Sequence, residues 1–314
     1  MSRWKKILLG IAAFIVVVIA LFLIVIGPWP VYGEVDVEDT GYYKETVARI
    51  DAHVEEAAFS ENPGRLRAGW SKELMTPPVG TPLGGYSARG GEPSTGVRDD
   101  LYARVLTLSD GSDTVALLGA DMLIIPPNIA EDVRRQVALR TPLTPDDILF
   151  TASHTHCGPG SFGPGVAAEI SAGEYDPQIP ELLAEAFTNA IVGAYEDLEP
   201  ARLAHTSVSA RKYIRNRTRD AEVDDTLNIL VAEQEDGDRC LTMRFSAHPT
   251  VFGSGMMEFS AEYPGELVAY VERATGADAV YLGGAVGSMS TRAPKAPSDS
   301  GRVEALGVAL GKLV

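Results

Sequence analysis

The chain is poor in several residues that mark special classes of protein. Only two cysteines, Cys157 and Cys240, occur in 314 residues. That excludes a disulfide framework and leaves one bridge between them as the open covalent option. Positive charge is also short: 27 Lys and Arg stand against 43 Asp and Glu, a formal net charge of −16. Nucleic acid, whose phosphates select basic surface, is excluded as a partner. Histidine is sparse, with five copies. Internal repeats and low-complexity tracts are absent, and no long apolar run follows the first 26 residues. At 45% hydrophobic the chain can still bury one large core or two small ones.

What is present begins with that one apolar run. "ILLGIAAFIVVVIALFLIVI", Ile7 to Ile26, carries no charge over twenty residues. At 1.5 Å per residue it spans a hydrocarbon core of roughly 30 Å. Arg3, Lys5 and Lys6 precede it, which by the positive-inside rule leaves the N-terminus cytoplasmic and the rest extracytoplasmic. No small-residue cleavage site follows; "GPWPVYG" does, with Trp29 suited to an interface. The reading is an uncleaved signal anchor, the alternative a cleaved signal peptide.

Beyond it, Tyr43, Val47, Ile50 and Val54 recur at helical spacing after Thr40, a candidate N-cap. His53 within this stretch reads as a surface or packing residue. "SENPGR" breaks the helix. From Arg67 strands and helices alternate. "LYARVLTLSD" and "DTVALLGAD" flank "DGSD" as a hairpin. "NIAEDVRRQVAL" and "PELLAEAFTNAIVGAYEDL" are helical, and "DDILFTASHTH" reads as a strand. "ARLAHTSVSA", "TLNILVAEQ" and "RCLTMRFSAHP" are strands, the last two joined through "EDGD". "PGELVAYVERATG" is a helix capped by Gly276, "DAVYLGG" a strand and "GRVEALGVALGKLV" a helix. Hairpins together with crossovers predict an α/β fold with a mixed sheet core flanked by helices. The last helix runs to Val314 without cap or tail, so the domain is expected to be cut short there.

The chemistry concentrates in "TASHTHCGPG", Thr151 to Gly160. On a strand, successive side chains alternate faces, so His154 and His156 are expected on one side. Two imidazoles at a strand end can begin a zinc site, or be paired by hydrogen bonds alone. "RFSAHPTVF" puts His248 at another strand end, before a proline that cannot continue a ladder. Strand-end residues of this kind meet where α/β sites form. "YLGGAVGSMSTRAP" runs from a strand into a Gly-rich loop bearing Ser288 and Ser290. His205 fits no such block and reads as structural.

These blocks resemble the neutral/alkaline non-lysosomal ceramidases from about Leu74 to Val314. "MTPPVGTPLGGY" with "TGVRDDLYARVLTLSDG" is similar to the family's opening, and "LGADML" to its Val-x-Ala-Asp strand. "SHTHCGPGSFG" resembles His-Thr-His-Ser-Gly-Pro-Gly-Gly-Phe. "IRNRT", "FSAHPT" and "SAEYPGELVAYVE" follow in family order. "VGSMS" stands where the family has Gly-(Asp/Asn)-x-Ser-Pro.

The resemblance implies a zinc-dependent amidase that splits ceramide, or a related N-acyl lipid, into fatty acid and sphingoid base. It implies His154 and His248 as zinc ligands and His156 as an acid/base or hydrogen-bond donor beside the metal. Arg217 would polarise a substrate oxygen, and Ser290 would be a nucleophile or a positioning hydroxyl. The family completes its zinc shell with a Glu and a Tyr far downstream of the matching region. Glu262 and Tyr263 match a different segment and are not assigned as ligands. Cys157 replaces the usual Ser and reads as a small buried residue, with thiolate metal binding as the alternative.

The expected division is a cytoplasmic tail (1–6), a transmembrane signal anchor (7–27), a juxtamembrane helix and linker (28–66) and a ceramidase-like catalytic domain (67–314). The partners expected are a lipid amide and a membrane. The alternative function is a catalytically incomplete, membrane-tethered binding or scaffold protein.

Overall fold

The computed structural model describes residues 2–26, 36–56 and 65–314. Trp29 and most of the "SENPGR" breaker lie outside the described residues, as does the side chain of His53. The chain divides into two units, 1–60 and 61–314. The first holds helices α1 (Arg3–Ile26) and α2 (Gly41–Glu56). Among the described residues α1 is the one helix long and apolar enough to cross a membrane. The Thr40 hydroxyl donates to the Val37 carbonyl immediately before α2.

Among the described residues the second unit carries twelve strands. In chain order they are β1 (Arg67–Leu74), β2 (Gly96–Val97), β3 (Tyr102–Ser109), β4 (Thr114–Ala120), β5 (Ile148–Ala152), β6 (Glu199–Ser209), β7 (Ile214–Asn216), β8 (Thr226–Gln234), β9 (Arg239–Phe245), β10 (Glu258–Phe259), β11 (Asp278–Gly283) and β12 (Met289–Thr291). Its helices are α3 (Pro127–Ala138), α4 (Val166–Ala172), α5 (Gln178–Glu196), α6 (Glu262–Thr275) and α7 (Asp299–Gly311). Eight strands form one sheet in the order β11-β9-β8-β6-β1-β3-β4-β5. The β4/β5 and β9/β11 pairs are parallel and the others antiparallel. The mixed sheet is therefore present, with the predicted β3–β4 hairpin next to its β5 edge.

The sheet folds over where β6 meets β1, a contact of two residue pairs. Its halves then face each other across a shared apolar layer of Ala68, Leu106, Ala232, Cys240 and Val280. Two glycines allow the closest approach. A Cβ on Gly119 of β4 would lie 2.1 Å from the Tyr281 carbonyl, and one on Gly283 of β11 would lie 2.1 Å from that of Ala152. Helices cover the outer faces: α5 packs on β1, β3 and β4 with α3 against it, and α6 packs on β11 with α7 against it. The apolar stripe of α5, with Leu183, Phe187 and Ile191 fully buried, follows the helical period that marks it in the sequence. Gly276 ends α6 in the left-handed region, as its position predicts.

Candidate active site

Folding the sheet over brings four chain exits together: those of β4, β5, β9 and β11. Strand β5 stops at Ala152, so His154 and His156 lie in the turn beyond it. The expectation that strand alternation aligns them is corrected here. The Ser153 amide donates to Ala120 O at 2.8 Å and the His154 amide to Met122 O at 3.0 Å. These bonds pull the chain over the end of β4 and force His154 to φ 67°, a left-handed backbone rare outside glycine. Thr155 is then driven into the core, its hydroxyl donating to Ser260 O at 2.8 Å. The two imidazoles end on one side all the same. His248 arrives three residues after the end of β9.

The three rings form a compact group. Their centroids are 5.3 Å (154–156), 4.4 Å (154–248) and 4.9 Å (156–248) apart. One ring nitrogen from each lies within 4.8 Å of the other two. The backbone fixes their tautomers, because a carbonyl can only accept. His154 Nδ1 donates to Leu123 O at 2.7 Å, and His248 Nδ1 donates to Val286 O at 3.3 Å. Both Nε2 atoms therefore carry lone pairs in the neutral ring. His156 Nε2 donates to His248 Nε2 at 2.9 Å, which leaves a buried His156 Nδ1 without a partner. Burial pushes His156 down to about 3 and His248 to about 4, and lowers His154 as well. Neighbouring imidazoles depress His156 and His248 further, and Arg217 acts on all three. The rings stay neutral, as metal ligands must be. Nδ1–H bonds to backbone carbonyls are the outer support that orients ligating imidazoles. The donor set can thus hold a divalent metal ion through nitrogen.

The N-terminal part of the neutral/alkaline non-lysosomal ceramidases matches residues 67–261. The chain belongs to that family. The crystal structure of the neutral ceramidase from Pseudomonas aeruginosa superposes with a TM-score of 0.73 at 18% identity, over 81% of this chain and 45% of that one. A ceramidase complexed with C2 gives a TM-score of 0.72 at 18% identity, over 80% and 44%. At such identity the likeness is one of fold. The ceramidase-family chain spans a little under half the length of these structures. No curated protein matches it.

Arg217 is tied to the Gly-rich loop after β11, its amide donating to Ser288 O at 2.8 Å and its Nε to Gly287 O at 3.0 Å. The neighbouring carbonyl, Val286 O, holds His248. One loop thereby sets Arg217 beside the rings. Ser290 lies in β12 opposite Arg215. Among the described residues its hydroxyl makes no hydrogen bond to an imidazole. Glu262 and Tyr263 serve the fold instead. The Glu262 carboxylate accepts from the amides of Val251, Phe252 and Tyr263, and the Tyr263 hydroxyl donates to Ala247 O. Cys157 and Cys240 are both buried free thiols, with burial pushing Cys157 up to about 11. His205 is exposed on β6.

Three further residues support His156 without having been singled out. The Tyr86 ring packs 4.6 Å from that of His156, and its hydroxyl donates to Phe252 O. Arg89 is buried and donates to the carbonyls of Gly84, His156, Ser254 and Met256. Gly85, at φ 115°, has no room for a Cβ, which would sit 2.7 Å from the His156 ring. "LGGYSARG" was a legible signal for the Gly-Tyr pair, whereas Arg89 contacts partners up to 167 residues away.

Proposed function

We propose that this chain carries the imidazole half of a zinc-dependent amidase centre, acting on ceramide or a related N-acyl lipid to give fatty acid and sphingoid base. The convergence of three neutral imidazoles from two strand exits is the observation that carries the reading. His154 and His248 would hold the ion through Nε2, since their Nδ1 atoms are committed to carbonyls. When bound, zinc supplies Lewis acidity toward water and toward an amide carbonyl.

The chain's own residues do the rest. His156, adjacent to His248 but not anchored at Nδ1, is the group free to move a proton, accepting it at Nδ1 from the attacking water and passing it to the departing amine nitrogen. Arg217, permanently charged and held against the loop after β11, stabilises negative charge growing on the carbonyl oxygen. Ser290 positions substrate, because acylation would need a base at its hydroxyl. Helix α1 anchors the domain on the outer side of the membrane, N-terminus inward, which keeps the site near lipid substrates.

The test is metal content together with hydrolysis of a fluorescent N-acyl sphingosine by the full-length chain in detergent. One zinc per chain, lost in His154→Ala together with turnover, is expected. A wild-type chain that binds no zinc and releases no fatty acid would sink the reading in favour of a binding protein.

A further inference from the structure

The chain is strongly acidic, yet the nine residues from Arg211 to Arg219 hold five cations and no carboxylate. The fold gathers rather than disperses them. Arg211, Arg215, Arg217 and Arg219 line one cavity of about 430 Å³ with Arg292, and Asp220 is the sole acid on its wall. Three bonds to Asn216 Oδ1, from the Thr218 amide, the Thr218 hydroxyl and the Arg219 amide, turn the chain so that Arg219 joins the cluster. The Arg292 amide donates to Tyr213 O at 2.7 Å, which fixes the fifth arginine opposite.

Among the described residues none of the five guanidinium groups forms an ion pair. Two are partly used by backbone: Arg211 Nη1 on Ile214 O and Arg217 Nε on Gly287 O. Like charges held this close repel one another, so the cluster adds no stability to the empty chain. It becomes favourable when an anion sits among the forks, and planar guanidinium groups match phosphate oxygens two at a time. The volume falls in the range of small-molecule sites. Arg217 belongs both to this cavity and to the surroundings of the imidazoles.

We propose that the arginine cavity binds a phosphate-type oxyanion, carried as the head group of an acyl amide whose scissile bond lies at the imidazoles. The second clause rests on the amidase reading; the anion site itself does not. The substrate class is then an N-acyl amino alcohol bearing a phosphomonoester.

The experiment has a binding arm and a turnover arm, both on the full-length chain in detergent. Calorimetry follows inorganic phosphate, a short-chain N-acyl amino alcohol phosphate and its dephosphorylated counterpart. The variant is Arg215→Gln/Arg219→Gln/Arg292→Gln, which leaves Arg217 in place; the single Arg219→Glu guards against misfolding of the triple. Wild type is expected to bind the phosphorylated amide at least tenfold more tightly than the neutral one, with inorganic phosphate competing. Both variants should lose that preference while hydrolysing the neutral amide at the wild-type rate. Phosphate binding lost in the variants, without any turnover of either amide by wild type, would uphold the anion site and refute the amidase reading. Binding of inorganic phosphate with no preference for the phosphorylated amide would uphold the anion site but assign it to free phosphate. Failure of every phosphate species to bind wild type, or equal binding by wild type and both variants, overturns the proposal.

Discussion

At the scale of single residues, the centre is defined by which ring nitrogens are already occupied. His248 has Nδ1 on Val286 O and Nε2 free of protons, so on the proposed function His248→Ala removes a metal ligand rather than a packing group. Turnover is expected below about 1% of wild type, since even outer-shell partners of metal ligands are worth 10–100-fold; bound zinc and N-acyl sphingosine hydrolysis report it together. Arg217→Lys should lose about 10²-fold in kcat/KM with an unchanged melting temperature, because a point charge cannot replace a planar fork.

Glu262 gives a different prediction. Burial pushes its carboxyl up to about 7, against three backbone amides that favour the charged form. The folded state therefore binds a proton more tightly than the unfolded one. The stability this gives is fully present below about pH 4.5 and is lost as pH rises through about 7, a decline of up to about 3 kcal/mol. Denaturant titrations across that window should show the slope in wild type and a flatter curve in Glu262→Gln. Of these residues, the histidines were legible because their type and strand-end placement are rare together. Arg89 was not, since its role exists only as contacts across the fold.

Elements were more legible than the turns that end them. Helical and strand periods located α3, α5, α6 and the β3–β4 and β8–β9 hairpins, because burial imposes those periods directly. The failure came one step past β5. Period-2 reasoning carried the strand through His156, whereas bonds to Ala120 and Met122 end it at Ala152 and turn His154 left-handed. No local propensity encodes a partner thirty residues away. The folding-over of the sheet was equally invisible, being written in two glycines whose neighbours lie far along the chain. Gly283→Ala would place a methyl 2.1 Å from Ala152 O, forcing β11 off the exit of β5. A loss of roughly 3 kcal/mol or more is expected, read as a fall in melting temperature. A variant melting with wild type would show that the halves tolerate separation.

At the scale of the whole molecule, charge and hydropathy are readable in the sequence alone. A basic leader of three residues, an uncharged helix and an acidic remainder set the expected sidedness. Protease added outside intact cells should degrade everything after residue 36 and spare an N-terminal tag. Protection of the acidic part would reverse the topology. Composition did not show that one stretch of this acidic chain opposes the average so strongly, because a net charge says nothing of where its minority sign collects.

The glycine contacts between β4 and β11, and between β5 and β11, also bear on how the molecule fails. His154 issues from one half of the folded sheet and His248 from the other, and those halves touch backbone to backbone. No local fraying can pull the two rings apart while the halves remain in register. Heat or denaturant should therefore dissolve the imidazole cluster and the fold in one cooperative event, with no intermediate that keeps the architecture but has lost its centre.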